Sequence, residues 1–281
     1  MVAELQEIIA GLIGKPPSQL TPLSGGSVAE VYKVSFPDDA PLVAKLGSGL
    51  ELEARMLIYL QEHTDLPVPK IIHAGENLLL MSYLPSGGAL TEPAQIQAAD
   101  LLAALHGITA AEFGFEWDTV IGGLHQPNPQ MEDWLNFFRD CRLLTMGQLA
   151  VNKGRMPASL LTRLRKFCDR LDKWLNVPSK PALIHGDMWG GNVLAQDGKI
   201  TGFVDPAIYF ADAEIELAFS TLFSTFGDDF FSRYHEHCPL APGFFEERRD
   251  IYNLYPLLVH VCLFGGSYVT SVETTLKRFG F

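Results

Sequence analysis

The chain has 281 residues, enough for one large domain or for two lobes around a cleft, with a substantial core. Hydrophobic residues make up 47% and charged residues 19%, which is a globular composition and excludes a disordered chain. With 21 basic and 33 acidic residues the formal net charge is -12, so most of the surface repels a phosphate backbone and no nucleic-acid partner is expected.

The four cysteines, Cys141, Cys168, Cys238 and Cys262, form no CxxC pair, which argues against a zinc knuckle and for reduced thiols. The N-terminal MVAELQEIIAGLIGKPP has no basic start and carries Glu4 and Glu7, so a signal peptide is not expected. The most apolar run, 254–264, is interrupted by Pro256 and His260 and reads as a buried helix, not a membrane span. The expected compartment is the cytoplasm, with no membrane partner.

In chain order, residues 3–13 read as an amphipathic helix closed by Gly14 and Pro16. In LTPLSGGSVAEVYKVSF, Gly25 and Gly26 sit among β-type residues, and Val28, Val31, Tyr32 and Val34 predict a strand. A turn at Pro37-Asp38-Asp39 leads to PLVAKLG, a short strand carrying Lys45. Over 50–62 the pattern turns helical, with Leu52, Met56, Leu57 and Leu60 on one side. Two short strands near 71–72 and 78–81 flank a hairpin turn at Gly75-Glu76-Asn77. LPSGG then reads as a linker. This divides the chain into 1–83, a small antiparallel sheet with one inserted helix, and 84–281, which is mainly helical. Helices are predicted over 92–105, 131–149 and 158–175, with a long loop rich in Gly and Pro over 110–130. Short β runs at 182–184 and 193–194 and the run ITGFVD, ending on Asp205, precede helices over 212–223, 230–236 and 244–264.

HGDMWGGNVL, residues 185–194, carries the strongest chemical signal. Asp187 and Asn192 stand five apart, the spacing of the catalytic Asp and the metal-binding Asn in kinase catalytic loops. One carboxylate must meet an acceptor hydroxyl, and a side-chain oxygen a short loop away must reach Mg²⁺ on the phosphates. Asp205, 18 residues after Asp187 at the end of an apolar run, is a second candidate metal ligand. Mg²⁺ needs few protein ligands, because it keeps waters and phosphate oxygens. Upstream, Gly25, Gly26 and Ser27 could cover the phosphates of a nucleotide, although the stretch is not G-x-G-x-x-G and a plain hairpin turn reads equally well. Lys45 in VAKL resembles a strand lysine that neutralises phosphate charge. Glu53 in the next helix could hold it, with Glu51 as the competitor. The absence of GxxxxGK[ST], HExxH and G-x-S-x-G argues against P-loop, zinc-protease and serine-hydrolase chemistry.

These residues resemble the fructosamine kinase, or ketosamine 3-kinase, family of the protein-kinase-like superfamily. HGDMWGGNVL is similar to that family's HGDLWGGN signature, and DPAIYFADAEIELA resembles its DPA segment. Phe113-Gly114, IGGLHQPN, DWLNFFRDCRL and RRDIYNLYPLLVHVCLFGGSY match as well, so the resemblance covers nearly the whole chain. It implies an α+β, bilobal protein-kinase-like fold, with an N-lobe sheet carrying one inserted helix and a larger, mainly helical C-lobe. It implies Mg²⁺ and ATP as cofactors and a small-molecule or protein-bound ketosamine as substrate, with a monomer favoured. Asp187 would accept the proton of the sugar 3-hydroxyl, and Asn192 and Asp205 would hold Mg²⁺. Lys45 with Glu53 would contact the phosphates, and Met81, Ser82 and Tyr83 would face adenine as the hinge. Trp189, with His185 at the head of the same signature, would contact the substrate. Aminoglycoside and choline kinases share only the general frame from HGD to Asp and remain the alternative, together with a nucleotide-binding pseudokinase.

Overall fold

The computed structural model describes residues 2–23, 29–175 and 180–281. Helix α1 (Val2–Ile13) leads into β1 (Gln19–Pro22), β2 (Glu30–Ser35), β3 (Leu42–Leu46), α2 (Leu50–His63), β4 (Ile71–Ala74) and β5 (Leu78–Ser82). Next come α3 (Glu92–His106), β6 (Thr119–Ile121), β7 (Leu124–Gln126) and α4 (Trp134–Phe137). A π-helical stretch, Phe138–Leu144, joins α4 to α5 (Thr145–Asn152), and α6 (Ala158–Cys168) precedes a 3₁₀ turn at Leu171–Lys173. Strands β8 (Ala182–Ile184), β9 (Val193–Gln196), β10 (Lys199–Phe203) and β11 (Tyr209–Ala211) follow. The chain ends in α7 (Glu214–Leu222), α8 (Asp228–His237), a π-helical Phe244–Arg248, α9 (Arg249–Tyr252), α10 (Leu254–Phe264) and α11 (Ser267–Arg278). No helix among the described residues is long and apolar enough to cross a membrane.

Two compact units divide the chain: Met1–Leu90 with Gly191–Pro206, and Thr91–Gly190 with Ala207–Phe281. The sequence places a boundary at 83/84. The first unit runs slightly further and also takes up the segment that carries Asn192 and Asp205.

In the first unit the sheet is antiparallel in the order β1-β2-β3-β5-β4. Strand β3 is therefore central, and Val43, Ala44 and Lys45 are all buried. Side chains alternate between the two faces of a strand. Ala44 and its partner Leu80 face α1, where Leu5, Ile9, Val34 and Phe36 complete a core cluster. Lys45 points to the opposite face. Helix α2 buries Leu50, Ala54, Leu57 and Leu60, an i, i+4, i+7, i+10 stripe that packs along β4 and β5. The hairpin β9–β10 turns at Asp197-Gly198, both at positive φ (52° and 73°), the conformation that tight two-residue hairpins require. It is tied into this unit by Phe203 N–H donating to Pro67 O at 2.8 Å and Gly88 N–H donating to Ala195 O at 2.9 Å.

The second unit is mostly helical, with two small antiparallel pairs, β8–β11 and β6–β7. Three predictions from the sequence need correction here. The 110–130 segment is not a structureless loop. It holds the β6–β7 hairpin, and Asp118 accepts the Asn128 N–H at 2.8 Å. The buried Arg142 guanidinium donates to Pro127 O at 2.8 Å and Asn128 Oδ1 at 2.6 Å while lying 3.8 Å from the Tyr209 ring centre. These contacts are long-range, so local composition misses them. The single helix predicted over 131–149 starts at Trp134, capped by Asp133, and its middle widens to π geometry. The helix predicted over 244–264 breaks into three pieces, and β11 and α11 were not anticipated.

Candidate active site

The alternation in β3 and the phase of α2 bring Lys45 and Glu53 together. Glu53 lies three residues after the buried Leu50 and so faces the sheet, whereas Glu51 is exposed. Lys45 Nζ donates to both Glu53 oxygens, at 2.8 and 2.7 Å, and to Asp205 Oδ1 at 2.8 Å. Burial works against the Lys45 ammonium, but the Asp205 and Glu53 carboxylates outweigh it and hold its pKa above the usual lysine value. Burial pushes the Glu53 carboxyl up, against the pull of Lys45 and helped by the negative charge of Asp205. One cation serves two carboxylates. A second cation beside Asp205 would relieve that imbalance.

Asp205 and Asn192 occupy the open end of the β9–β10 hairpin. The ladder pairs Val193 with Phe203, and one step beyond it Val204 N–H donates to Asn192 O at 3.0 Å. Asp205 has φ 54°, a left-handed conformation that Asp tolerates better than most residues. Asn192 is buried, while the Asp205 side chain is 38% exposed. The donor set fits Mg²⁺: two hard oxygen donors on one rigid hairpin, of which Asp205 already draws an ammonium to hydrogen-bond distance.

Met81 is buried and Ser82 and Tyr83 are half-buried at the end of β5. Ser82 N–H donates to Lys70 O at 2.8 Å and Tyr83 N–H to Pro41 O at 3.3 Å, so the sheet already uses both of these backbone donors. Gly25, Gly26 and Ser27 lie outside the described residues.

In the second unit, Asp187 sits on the loop after β8. Gly186 has φ 88°, and a Cβ there would run into the Ala207 carbonyl, so the loop is pinned closely to the segment before β11. His185 is fully buried beneath the loop, and its Nδ1 accepts the Asp187 N–H at 3.4 Å. The sequence puts His185 on the substrate side with Trp189. The structure adds that the ring is fully buried and accepts the Asp187 N–H. Trp189 is 37% exposed and meets the Phe223 ring edge-on at 6.2 Å.

The sequence pattern left Glu216 unnoticed. It is buried on α7, where Oε1 accepts the Gly186 N–H at 2.6 Å and Oε2 accepts the His185 N–H at 3.2 Å. His106 Nε2 lies 2.8 Å from Oε2, and His106 Nδ1 lies 2.7 Å from Tyr234 Oη. Burial alone would raise the Glu216 pKa, but the His106 hydrogen bond and charge, with His185 and the Gly186 N–H, hold it below its ordinary value. A signal was present. A glutamate inside IELAFS, on a helix otherwise buried from Ile215 to Ser220, must have partners.

The fold is that of the protein-kinase-like phosphotransferases. An aminoglycoside phosphotransferase solved with AMP-PNP and hygromycin B superposes over 99% of both chains at TM-score 0.70 and 17% identity, a likeness of fold alone. The chain belongs to the fructosamine kinase family, whose sequence profile matches residues 1–279. It is 33% identical over 267 residues to a protein of Vibrio parahaemolyticus described as a probable ketoamine kinase, covering 91% of this chain and 90% of that one. It is 32% identical over 240 residues to the chloroplastic protein-ribulosamine 3-kinase of Arabidopsis thaliana, covering 83% and 71%. A crystal structure of a candidate fructosamine-3-kinase from Thermobifida fusca matches at TM-score 0.86 and 31% identity over 97% of each chain. The protein is an enzyme of the phosphotransferase class.

Proposed function

We propose that this enzyme transfers the γ-phosphoryl group of ATP to the 3-hydroxyl of a ketosamine, a fructosamine or ribulosamine adduct of an amine. The observation that supports this most directly is the bracketing of Lys45 by Glu53 and Asp205, at 2.7 and 2.8 Å. A fixed ammonium neutralises charge on a nucleoside triphosphate, and the acidic hairpin end beside it suits a divalent cation that would neutralise more. Lys45, held by Glu53, binds the phosphates, with Gly25, Gly26 and Ser27 covering them and Met81, Ser82 and Tyr83 beside adenine. Asn192 and Asp205 would hold Mg²⁺, which would screen the phosphate oxygens. Trp189 lays its ring against the sugar.

The Asp187 carboxylate orients the acceptor hydroxyl and takes its proton as the new O–P bond forms. The bond from the γ-phosphorus to the β–γ bridging oxygen breaks, and ADP leaves with the electron pair. The phosphorylated ketosamine is less stable than its parent, so the reaction fits repair of glycated amines by a monomeric cytoplasmic enzyme. An aminoglycoside or amino-alcohol kinase is the competing reading, and a pseudokinase the other; the retention of Lys45, Asp187, Asn192 and Asp205 together favours a working kinase. Substitution of Asp187 by Ala tests the assignment: turnover falls by on the order of 10² or more while ATP still binds, and unchanged turnover refutes the role.

A further inference from the structure

Trp189 begins a run of aromatic rings on the second unit. Its ring meets Phe223, which lies 5.1 Å from His260, and His260 lies 5.7 Å from Phe264 and 4.9 Å from Tyr268. Phe223 is 38% and Phe264 49% exposed, beside the partly exposed Trp189. Scattered exposed apolar side chains need no explanation, but a contiguous row of large rings marks a surface that meets something.

The row is also built. Phe223 closes α7, His260 and Phe264 share one side of α10, and Tyr268 opens α11. Gly265 and Gly266, at φ 66° and 61°, let the chain turn between these two helices and bring Phe264 and Tyr268 to 6.1 Å. The buried Phe219 backs Phe223 at 6.3 Å and His260 at 6.5 Å. His260 Nδ1 lies 2.7 Å from Pro256 O, so its hydrogen is spent on the backbone.

We propose that Phe223, His260, Phe264 and Tyr268 form the subsite for the non-sugar part of the substrate, and that this ledge favours a planar, apolar amine over a small one bearing a carboxylate. The proposal rests on the ketosamine reading above. Trp189, two residues from Asp187 in the chain, is the first ring of the row and links it to the acceptor carboxylate. A sugar hydroxyl held at Asp187 leaves the amine substituent to extend along such a row. Ring faces and edges reward a flat apolar group by burial and stacking, whereas a carboxylate would lose water there and meet the negative faces of the rings.

The test gives the full chain Mg-ATP and the fructose adducts of benzylamine or glycine, follows ADP release, and repeats this with the Phe264→Ala/Tyr268→Ala double variant. A wild-type preference for the benzylamine adduct of about tenfold in kcat/KM, reduced to within about twofold in the variant, is the expected result. Tyr268→Phe alone keeps the preference. Equal wild-type use of both adducts, or a preference the double variant retains, overturns the ledge while the kinase reading stands. If neither adduct is phosphorylated, fructose adducts are excluded as substrates while a ribulosamine acceptor is still allowed, and binding decides the ledge. A change in tryptophan fluorescence on adding the benzylamine adduct without ATP, lost in the double variant, supports it, and no change overturns it.

Discussion

Asp205 Oδ1 accepts a hydrogen bond from Lys45 Nζ at 2.8 Å across a sequence separation of 160 residues. A carboxylate just beyond the β9–β10 hairpin and the lysine of a central strand thus share one contact, with Glu53 completing it from α2. Lys45 is the only cation in this trio, so its removal leaves two carboxylates facing each other. Lys45→Met should lower kcat/KM for ATP by on the order of 10² to 10³, the scale found when a preorganised charge-stabilising donor is lost. Lys45→Arg should not restore it, because a planar fork cannot replace a compact ammonium in this space. Steady-state kinetics at varied ATP checks both, and near-wild-type kcat/KM in either variant contradicts the role.

Glu216 holds the backbone two residues ahead of Asp187 without touching the reacting atoms, which makes it a positioning residue. In Glu216→Gln an amide nitrogen must face a backbone N–H, leaving a buried donor unsatisfied at a cost of about 1–3 kcal/mol. A small displacement of Asp187 is expected to lower kcat by roughly 10- to 100-fold while KM for ATP changes by less than about threefold. A merely structural role would lower the amount of folded enzyme and leave kcat per folded molecule intact. Active-site titration alongside kinetics separates the two.

Gly186 has no room for a side chain. Gly186→Ala combines a left-handed backbone with a Cβ that meets the Ala207 carbonyl, itself fixed because Ala207 N–H donates to His185 O at 2.7 Å. The expected loss of stability is about 3 kcal/mol or more. Denaturant unfolding followed by circular dichroism measures it, and a variant as stable as wild type would show that the loop yields more easily than its geometry indicates.

Burial lowers the His260 pKa from 6.5, with the Pro256 carbonyl working the other way. The unfolded chain therefore takes up this proton at a higher pH than the folded one. Between the two values the unfolded state binds more protons, so stability is full above the unfolded pKa and is lost as pH falls through 6.5 toward the folded value. Its ring neighbours are Phe219, Phe223, Phe264 and the titratable Tyr268. Urea unfolding from about pH 8 to about pH 5 should show wild type losing stability relative to His260→Phe on acidification. A difference that does not change with pH contradicts it.

Much of the first unit was legible because its determinants are local. The short run PLVAKLG around Lys45, the apolar side of Leu52, Met56, Leu57 and Leu60, and the turn at Gly75-Glu76-Asn77 point to β3, α2 and the β4–β5 pair, although Leu52 is only half-buried and Leu50 and Ala54 complete the packed stripe. The choice between Glu51 and Glu53 was not local: it needed the face of α2 that meets the sheet. The spacing from Asp187 to Asn192 and on to Asp205 suggested a site, but not that Lys45 would bond Asp205, which only the tertiary fold supplies. Glu216 escaped because its partners, the backbone of 185–186 and His106, lie 30 to 110 residues away. The predicted helix over 131–149 widens to π geometry around the buried Arg142, and that over 244–264 opens with a π-helical stretch ending on the buried Arg248, neither of which apolar periodicity registers.

The central claim is ATP-dependent phosphorylation of a ketosamine, and a substrate panel measures it most directly. Purified enzyme with Mg-ATP is given fructoselysine, ribuloselysine, ethanolamine and kanamycin, with ADP release as the readout. Turnover of fructoselysine or ribuloselysine, abolished by Asp187→Ala, is the predicted result. Turnover of ethanolamine or kanamycin with none on either ketosamine would contradict the account.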